Sequence, residues 1–567
     1  MPMSEPVKKQ NFLQGAALLA MATVVVKLIG AFYKLPLQRI VGPDGFSYFS
    51  TAYNVYSMLL LISTAGFPVA MSRMISQASS LNDHAQTRKV YNTSRTIFLI
   101  IGAVSTALMM VFCQALANSQ KQPDAALAIF CLAPSAFFMS IISTYRGFFQ
   151  GQGNMLPTSK SQVLEAVFKL GAGLAGAVLV LHFGGAISMA AAGAILGVTI
   201  SCAVSVGYLF WVFHKSAQPE ILEQKQPTFC GLTAKQLLSI AVPITIGAAG
   251  LQLLIVLETS LYMNQLVDLL DKGLLQGELV EALRTEVLAK AQEEGKVLTD
   301  AELHSGIAAS MKGIYNFGQT IYNLPNSLIT PITISVIPAI TAFLTLKDDN
   351  GVKVTSESAS RVTGLLSLPC AIGLMVLSKP IMGLLGHYSG VQLDFAATLL
   401  CLLGVSVFMR AVVLFTNSLM QANGHPNLPV INMLVTGVVR MILVYVLTGN
   451  PNIGLIAVPA LTALGNFATA VLNLICLRKV VPQKSAIASN LLRPLLPALL
   501  MGASAFACWQ LIVRFLGAAC SYVIQVGGPM AVAAVVYLIS AVWLKSITKE
   551  DCLLLPKGDK IAKLLHL

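Results

Sequence analysis

Charged side chains are scarce in this chain. Only 11% of its 567 residues are Asp, Glu, Lys or Arg, whereas 56% are hydrophobic. A soluble globular protein carries about 25% charged residues, so this composition excludes a water-soluble domain. The net charge of +13 does not indicate a nucleic-acid partner, because the cations lie in short loops between apolar runs and form no basic domain.

Motifs for covalent or metal chemistry are also missing. The ten cysteines are scattered without a CxxC pair, and no histidine cluster has metal-ligand spacing, so we expect neither a metal nor a cofactor. The absence of GxxxxGK[ST] excludes a built-in P-loop ATPase. The string GAGLAG, at Gly171–Gly176, fits GxGxxG but lies within an apolar helix and predicts small-residue helix packing. No nucleophile stands with a base, so we expect no enzyme.

The chain consists mainly of long apolar runs. A spanning helix needs about 20 mostly apolar residues, and this criterion predicts an all-α integral membrane protein with fourteen transmembrane helices. The first run follows Lys8 and Lys9 without a clean cleavage site, so we interpret it as a span and not as a signal peptide. The predicted spans are approximately 12–33, 51–77, 96–117, 125–147, 161–181, 187–213, 237–262, 313–344, 361–385, 395–420, 428–448, 453–477, 490–513 and 521–544.

The distribution of Lys and Arg predicts the orientation of the spans. With the N-terminus in the cytoplasm, the inside segments hold roughly twice as many cations as the outside segments, which favours cytoplasmic N- and C-termini. One extracytoplasmic insertion, about 263–312, is long and acidic. It could form a surface helix pair, a docking site or merely a tolerated insertion.

An internal repeat relates the two halves. Shifting the chain by 271 residues superimposes Gly153 on Gly424 and Lys169 on Arg440, so spans 4–5 echo spans 10–11. We therefore predict two six-helix lobes, 1–236 and 237–480, followed by helices 13–14 and a cytoplasmic tail at 481–567. Halves that run the same way form a parallel repeat, whose lobes can rock about the membrane normal and provide alternating access.

Ionisable residues inside predicted spans are the candidate functional groups. Each costs about 2.5–3.5 kcal/mol on insertion scales and normally faces a cavity or a partner. Five cations and two acids favour an anionic substrate such as a phosphate. These seven residues are Lys27, Arg73, Glu165, Lys169, Glu258, Arg410 and Arg440.

Depth and spacing distinguish some of these residues. Lys169 lies about 18 Å beyond the start of its helix at 1.5 Å per residue, and Arg440 is similarly deep. Glu165 and Lys169 are four residues apart, so they could instead form a neutralised structural ion pair. Arg73 lies near a helix end and could be only a positive-inside anchor.

Two stretches carry a family resemblance. KLIGAFYKLPLQRIVGPDGFSYFSTAYNVYSMLLLISTAGFPVAMSRMISQ and GFFQGQGNMLPTSKSQVLEAVFKL resemble the stage V sporulation protein B group of polysaccharide transporters. This group belongs to the multidrug/oligosaccharidyl-lipid/polysaccharide exporter superfamily, which also contains the lipid II flippases. The resemblance implies fourteen helices in two lobes around a central cationic cavity in the bacterial cytoplasmic membrane.

The implied cargo is an undecaprenyl-pyrophosphate-linked saccharide, such as the peptidoglycan precursor, moved from the inner to the outer leaflet. KLIG places Lys27 at the basic position of the first flippase helix, whereas the family's arginines in helices 2 and 7 have no clear match. Helices 13 and 14 would border a groove for the polyprenyl tail. Membrane lipids and cell-wall synthases are the implied partners of a monomer.

The residues and the resemblance together predict a flippase. Lys27, Lys169 and Arg440 would hold the pyrophosphate head group, with Arg410 and Arg73 as further candidates. Glu258 or Glu165 could exchange a coupling ion. A multidrug or cation antiporter of the same superfamily is the main alternative. A membrane-bound glycosyl transferase and a scaffold without transport are two others.

Overall fold

The computed structural model describes residues 12–64, 67–81, 83–216, 229–293, 297–345, 348–425, 427–480, 486–516 and 521–546. Nearly all of them are helical, and no β-strand occurs within these ranges. Eleven helical segments of this described part are long and apolar enough to cross a membrane. The prediction of an all-α, multi-pass membrane protein is therefore confirmed, while the number fourteen stays a prediction.

The described residues divide into two compact units, 1–264 and 265–567, and the boundary falls within one helix. The first unit contains α1 (Phe12–Thr64), α2 (Phe67–Ser80), α3 (His84–Val111), α4 (Cys113–Ser119), α5 (Ala126–Gly151), α6 (Leu156–His182), α7 (Ile187–Ser216) and most of α8 (Gly231–Asp271).

The second unit begins in the last turns of α8. Its other helices are α9 (Glu278–Glu293), α10 (Asp300–Thr345), α11 (Asp349–Val376), α12 (Ser378–Gly386), α13 (Gly390–Ala422), α14 (Asn427–Thr448), α15 (Ala457–Val480), α16 (Ile487–Leu492), α17 (Leu495–Leu516) and α18 (Tyr522–Trp543).

Helix α1 runs through the segment that the sequence predicts to be a loop between spans 1 and 2. Its helical backbone is interrupted only at Gly42, where φ is 69° and ψ is −178°. A positive φ of this size is accessible to glycine at little cost. The helix continues because the segment is not polar throughout: Leu37, Val41 and Phe46 are buried. The two helical segments of α1 therefore meet at Gly42 with no long loop over 34–50 between them, and the predicted boundary at 77 lies close to the end of α2 at Ser80.

Glycines bring α6 and α7 into backbone contact. A Cβ atom at Gly176 would collide with the carbonyl oxygen of Gly193, and one at Gly197 would collide with the backbone of Gly173. Small residues allow membrane helices to approach this closely. The interpretation of GAGLAG as a helix-packing motif is confirmed.

The repeated sequence forms the same kind of turn twice. Gly153 lies between α5 and α6 with φ of 77°, and Gly424 lies between α13 and α14 with φ of 82°. Both glycines occupy the left-handed region that favours a residue without Cβ. The local repeat in sequence thus corresponds to a local repeat in structure, while the two six-helix lobes stay a prediction.

The predicted 263–312 insertion is largely helical. Helix α8 extends to Asp271, α10 already begins at Asp300, and α9 lies between them. On α9, Glu286 Oε2 accepts a hydrogen bond of 2.7 Å from Gln392 Nε2 of α13, and Val287 is buried. The insertion is therefore a helical element packed on the second unit.

Helix α18 is anchored to a proline-containing part of α11. Pro369 has no N–H, so the carbonyl of Leu365 loses its helical donor. The hydroxyl of Tyr537 on α18 donates to this carbonyl at 2.6 Å. A hydroxyl from another helix thus satisfies a main-chain oxygen that the proline would leave without a donor.

Candidate functional site

Lys169 lies against tyrosines of α1 in the first unit. Its Nζ donates a hydrogen bond of 3.2 Å to the hydroxyl of Tyr53 and lies 4.5 Å from the centroid of that ring. Tyr33 is also close, with its ring centroid 5.7 Å from Nζ. Both tyrosine rings can attract the ammonium group through their π faces.

Tyr33, the second tyrosine beside Lys169, is held in place by α7. The Tyr33 hydroxyl donates to the carbonyl of Ala194 at 3.0 Å. Gly173, one turn after Lys169, leaves room for the Tyr33 ring, because a Cβ there would lie 2.6 Å from its hydroxyl oxygen. The aromatic surface beneath Lys169 is therefore fixed by packing on two helices.

A second lysine shares the Tyr53 ring. Lys34 Nζ lies 6.0 Å from its centroid, so two ammonium groups are within 6.0 Å of one ring centre. Lys34 is not among the residues predicted from the sequence, because predicted span 1 ends at residue 33. The signal was present: Lys34 follows Lys27 by seven residues, which is two turns on one helix face.

Glu165 forms its ion pair with a residue other than Lys169, so the alternative of a neutralised Glu165–Lys169 pair does not apply. Its Oε2 lies 3.0 Å from Arg146 Nη2 of α5, and the same guanidinium donates through Nε to Ser161 Oγ at 2.9 Å. Arg146 offers Glu165 a hydrogen-bonded cation from a neighbouring helix. Lys169 therefore contacts the tyrosines of α1 and not Glu165.

Arg440 lies at the end of a polar line between α14 and α15 in the second unit. Asn432 Nδ2 donates to Asn473 Oδ1 at 2.9 Å, and the hydroxyls of Thr436 and Thr469 are 2.7 Å apart. Arg440, which is half-buried, follows on the same face of α14. It is thus deep in its helix and adjoins hydrogen-bonded polar side chains.

The remaining predicted site residues have separate environments. Arg410 is half-buried on α13, Arg73 is exposed on α2, and Glu258 is buried on α8. The side chain of Lys27, which lies on α1, is outside the described residues. The exposure of Arg73 fits its interpretation as an anchor better than a binding role.

One buried cation was overlooked in the sequence. Lys312, which the sequence analysis assigned to the outer insertion, is fully buried on α10. Apolar neighbours on both sides, Ile307 to Met311 and Ile314, could have indicated this burial. A lysine embedded in an apolar helical segment is costly and calls for a structural or functional role.

The described part of the chain contains no group of three or more His, Cys, Asp or Glu residues that could hold a metal ion. Its distinctive chemistry is electrostatic. Lysines over tyrosine rings and an arginine beside amides and hydroxyls can bind an anion without breaking a bond.

Comparison with known proteins gives two family matches. The family model described as "Polysaccharide biosynthesis protein" matches residues 12–344, and the one described as "Lipid II flippase MurJ" matches residues 229–526. Together the two matches cover both units.

Individual proteins are similar over most of the chain. Stage V sporulation protein B of Bacillus subtilis (strain 168) is 23% identical, covering 97% of this chain and 98% of that protein. Lipid II flippase MurJ of the same organism is 22% identical over 76% of each chain. A solved structure of lipid II flippase MurJ in an inward closed conformation has a TM-score of 0.61 and 14% identity, covering 93% of this chain and 99% of that one; this likeness concerns the fold.

Proposed function

Because the chain belongs to the polysaccharide biosynthesis protein family, we propose that it flips a lipid-linked saccharide across the membrane. It is a transporter rather than an enzyme. The proposed substrate is an undecaprenyl-pyrophosphate-linked saccharide, either a peptidoglycan precursor or a related polysaccharide unit. Transport runs by alternating access from the inner to the outer leaflet of the bacterial cytoplasmic membrane.

The proposed topology follows the repeat. Fourteen spans form two six-helix lobes, 1–236 and 237–480, and helices 13–14 are added after them. Both termini face the cytoplasm, and the chain acts as a monomer beside cell-wall synthases. The positive-inside distribution of Lys and Arg supports this orientation.

The observation that carries the proposal is the environment of Lys169. Its hydrogen-bond partner is the hydroxyl of Tyr53, and Glu165 is bound to Arg146 instead. Among the described residues no carboxylate forms an ion pair with Lys169. A cation deep in a span without a carboxylate keeps its charge available for an anionic ligand.

Other residues are assigned by the same reasoning. Lys34 adds a second positive charge at the Tyr53 ring, and Arg440 supplies a cation from the second unit. Arg440 can grip a phosphate in bidentate fashion. Lys27 and Arg410 are the further proposed contacts to the diphosphate, whereas Arg73 is assigned the role of a positive-inside anchor.

Glu258 is the better of the two proposed ion-coupling residues. It is a buried acid within a span, whereas the carboxylate of Glu165 is held by Arg146. The membrane potential is an additional driving force, worth about 2.3 kcal/mol per charge per 100 mV. An inside-negative potential favours outward movement of the anionic diphosphate.

A flipping assay tests the proposed function. The purified chain is placed in proteoliposomes with fluorescent lipid II or with a capsular-type polyprenyl-diphosphate saccharide, and outer-leaflet arrival is measured. We expect Lys169→Ala and Arg440→Ala each to slow flipping of the accepted substrate by about tenfold or more. Lys160→Ala on the exposed side of α6 and Arg478→Ala at the exposed end of α15 are the matched controls.

The assay also separates the alternatives. Wild-type flipping rates in both Lys169→Ala and Arg440→Ala, at normal membrane levels of each variant, would rule out binding of the anionic head group by these two residues. Failure to flip either lipid, together with proton- or sodium-driven efflux of organic cations, would instead identify the antiporter.

A further inference from the structure

Helices α14 and α15 meet in register along a line of facing positions. Residues 432, 436 and 440 follow at intervals of four on α14, and residues 473, 469 and 465 do so in the opposite direction on α15. The first two positions are polar pairs, Asn432 with Asn473 and Thr436 with Thr469, each joined by a side-chain hydrogen bond. The third position pairs Arg440 with Gly465.

At this third position only one helix supplies a side chain. A Cβ atom at Gly465 would lie 3.0 Å from Arg440 Cδ, 3.6 Å from Cγ and 3.7 Å from Cβ. The aliphatic stem of Arg440 therefore lies directly against the backbone of α15. A larger residue at position 465 would need the volume that this stem occupies.

Helix α15 is tied to α13 by hydrogen bonds and cannot easily move away. Asn466, the next residue, donates to Ser406 Oγ on α13 at 2.7 Å. Two turns later Asn473 donates to Thr416 at 3.0 Å and to Asn417 at 2.7 Å. A side chain introduced at position 465 would therefore displace Arg440 rather than the helix.

The displaced arginine would meet an apolar surface. The other faces of α14 expose Val435, Val439 and Ile442, as expected of a helix that contacts lipid. A guanidinium group turned towards acyl chains is unfavourable, and it would no longer reach a ligand at its native position.

We propose that Gly465 is a positioning residue for Arg440. Its missing side chain lets the arginine stem lie directly against the backbone of α15, which places the guanidinium group to bind the diphosphate of a polyprenyl-linked substrate. This inference rests on the proposed function, because it requires that Arg440 contacts the diphosphate.

Binding measurements in nanodiscs test the proposal. The probe is farnesyl diphosphate, and farnesol serves as the probe without charge. We expect Gly465→Leu to weaken farnesyl diphosphate binding by about tenfold or more, as Arg440→Ala does, with farnesol binding unchanged in both. Gly207→Leu is the matched control, because the space beside this exposed glycine of α7 is open.

A double variant separates positioning from general damage. Gly465→Leu combined with Arg440→Ala should bind farnesyl diphosphate no more weakly than Arg440→Ala alone, since the glycine acts through the arginine. Losses that multiply in the double variant would overturn the proposal. If the leucine variant does not reach the membrane, Gly465→Ala takes its place. We expect this variant to lose affinity for farnesyl diphosphate in the same direction but by less. Unchanged affinity in Gly465→Ala would also overturn the proposal.

Different outcomes would refute the role of Arg440 and the role of Gly465. Wild-type affinity in Arg440→Ala would remove Arg440 from the proposed function, and the role of Gly465 would fall with it. Weakened affinity in Arg440→Ala with normal affinity in Gly465→Leu would refute the positioning role alone.

Discussion

The ammonium group of Lys169 and the phenol of Tyr53 are joined in two ways. Lys169 Nζ donates to the Tyr53 hydroxyl at 3.2 Å, and it lies 4.5 Å from the ring centroid. The tyrosine thus stabilises the cation without cancelling its charge. A carboxylate at the same place would neutralise it and weaken any attraction for an anionic substrate.

The two contacts of Tyr53 can be separated by substitution. Tyr53→Phe keeps the ring and removes the hydrogen bond, so we expect about a two- to tenfold rise in the apparent KM for flipping. Tyr53→Leu also removes the cation–π contact and should raise it further. Equal apparent KM values in wild type, Tyr53→Phe and Tyr53→Leu would exclude a role for this tyrosine in substrate binding.

The Arg146–Glu165 ion pair is expected to stabilise the first unit. Its side chains are only 12% and 25% exposed, so removal of one partner leaves a largely buried charge. Arg146→Ala should lower the free energy of unfolding by about 3 kcal/mol, measured by thermal unfolding in detergent. Arg146→Met combined with Glu165→Met should recover much of this loss; a double variant as unstable as the single one would contradict the pairing.

The glycine contact between α6 and α7 predicts a position-specific loss of stability. A leucine at Gly176 would push against the backbone oxygen of Gly193, and overpacking of this kind costs about 1–3 kcal/mol or more. Gly171→Leu is the control on the same helix, because nothing lies near its missing Cβ. We expect a lower melting temperature for Gly176→Leu only; equal melting temperatures would argue against close packing.

Packing of the insertion should weaken in acid. Burial raises the pKa of Glu286, but the hydrogen bond from Lys290, its charge and the hydrogen bond from Gln392 outweigh burial and lower the pKa below its usual value. A lowered pKa in the folded state means that Glu286 stabilises the packed insertion above the unfolded pKa, about 4.3. This contribution is lost as the pH falls through the folded value.

Hydrogen exchange of α9 amides, corrected for intrinsic rates, measures this effect. Opening should increase by at most about fivefold below pH 4.3, because the pair is partly exposed. Glu286→Gln should show the increased opening already at pH 7 and little further change in acid. A variant that keeps the acid-dependent increase would assign the titration to another group.

Features set by neighbouring residues could be predicted from the sequence. Apolar length predicts membrane helices, and GAGLAG predicts their close packing, because each depends on a single continuous segment. The matching turns at Gly153 and Gly424 could likewise be predicted, because the sequences around them coincide when the chain is shifted by 271 residues.

Features set by residues distant in the chain could not be predicted from the sequence. Glu165 has a lysine one turn away, yet it pairs with Arg146, 19 positions earlier. Tyr53 is separated from Lys169 by 116 positions, and spacing along one helix cannot indicate such a contact. Lys34 was assigned to a loop because the apolar criterion ended span 1 at residue 33, whereas the helix continues to the break at Gly42.

The hydrogen bond between Tyr537 and Leu365 bears on how this chain could be shortened. A truncation that removes α18 would remove the hydroxyl that donates to this main-chain oxygen of α11, and an unsatisfied carbonyl within a membrane span costs several kcal/mol. Helix α18 is therefore not a detachable addition to the other helices of the second unit. Any ancestor or design lacking it would have to replace Pro369 or provide another hydroxyl.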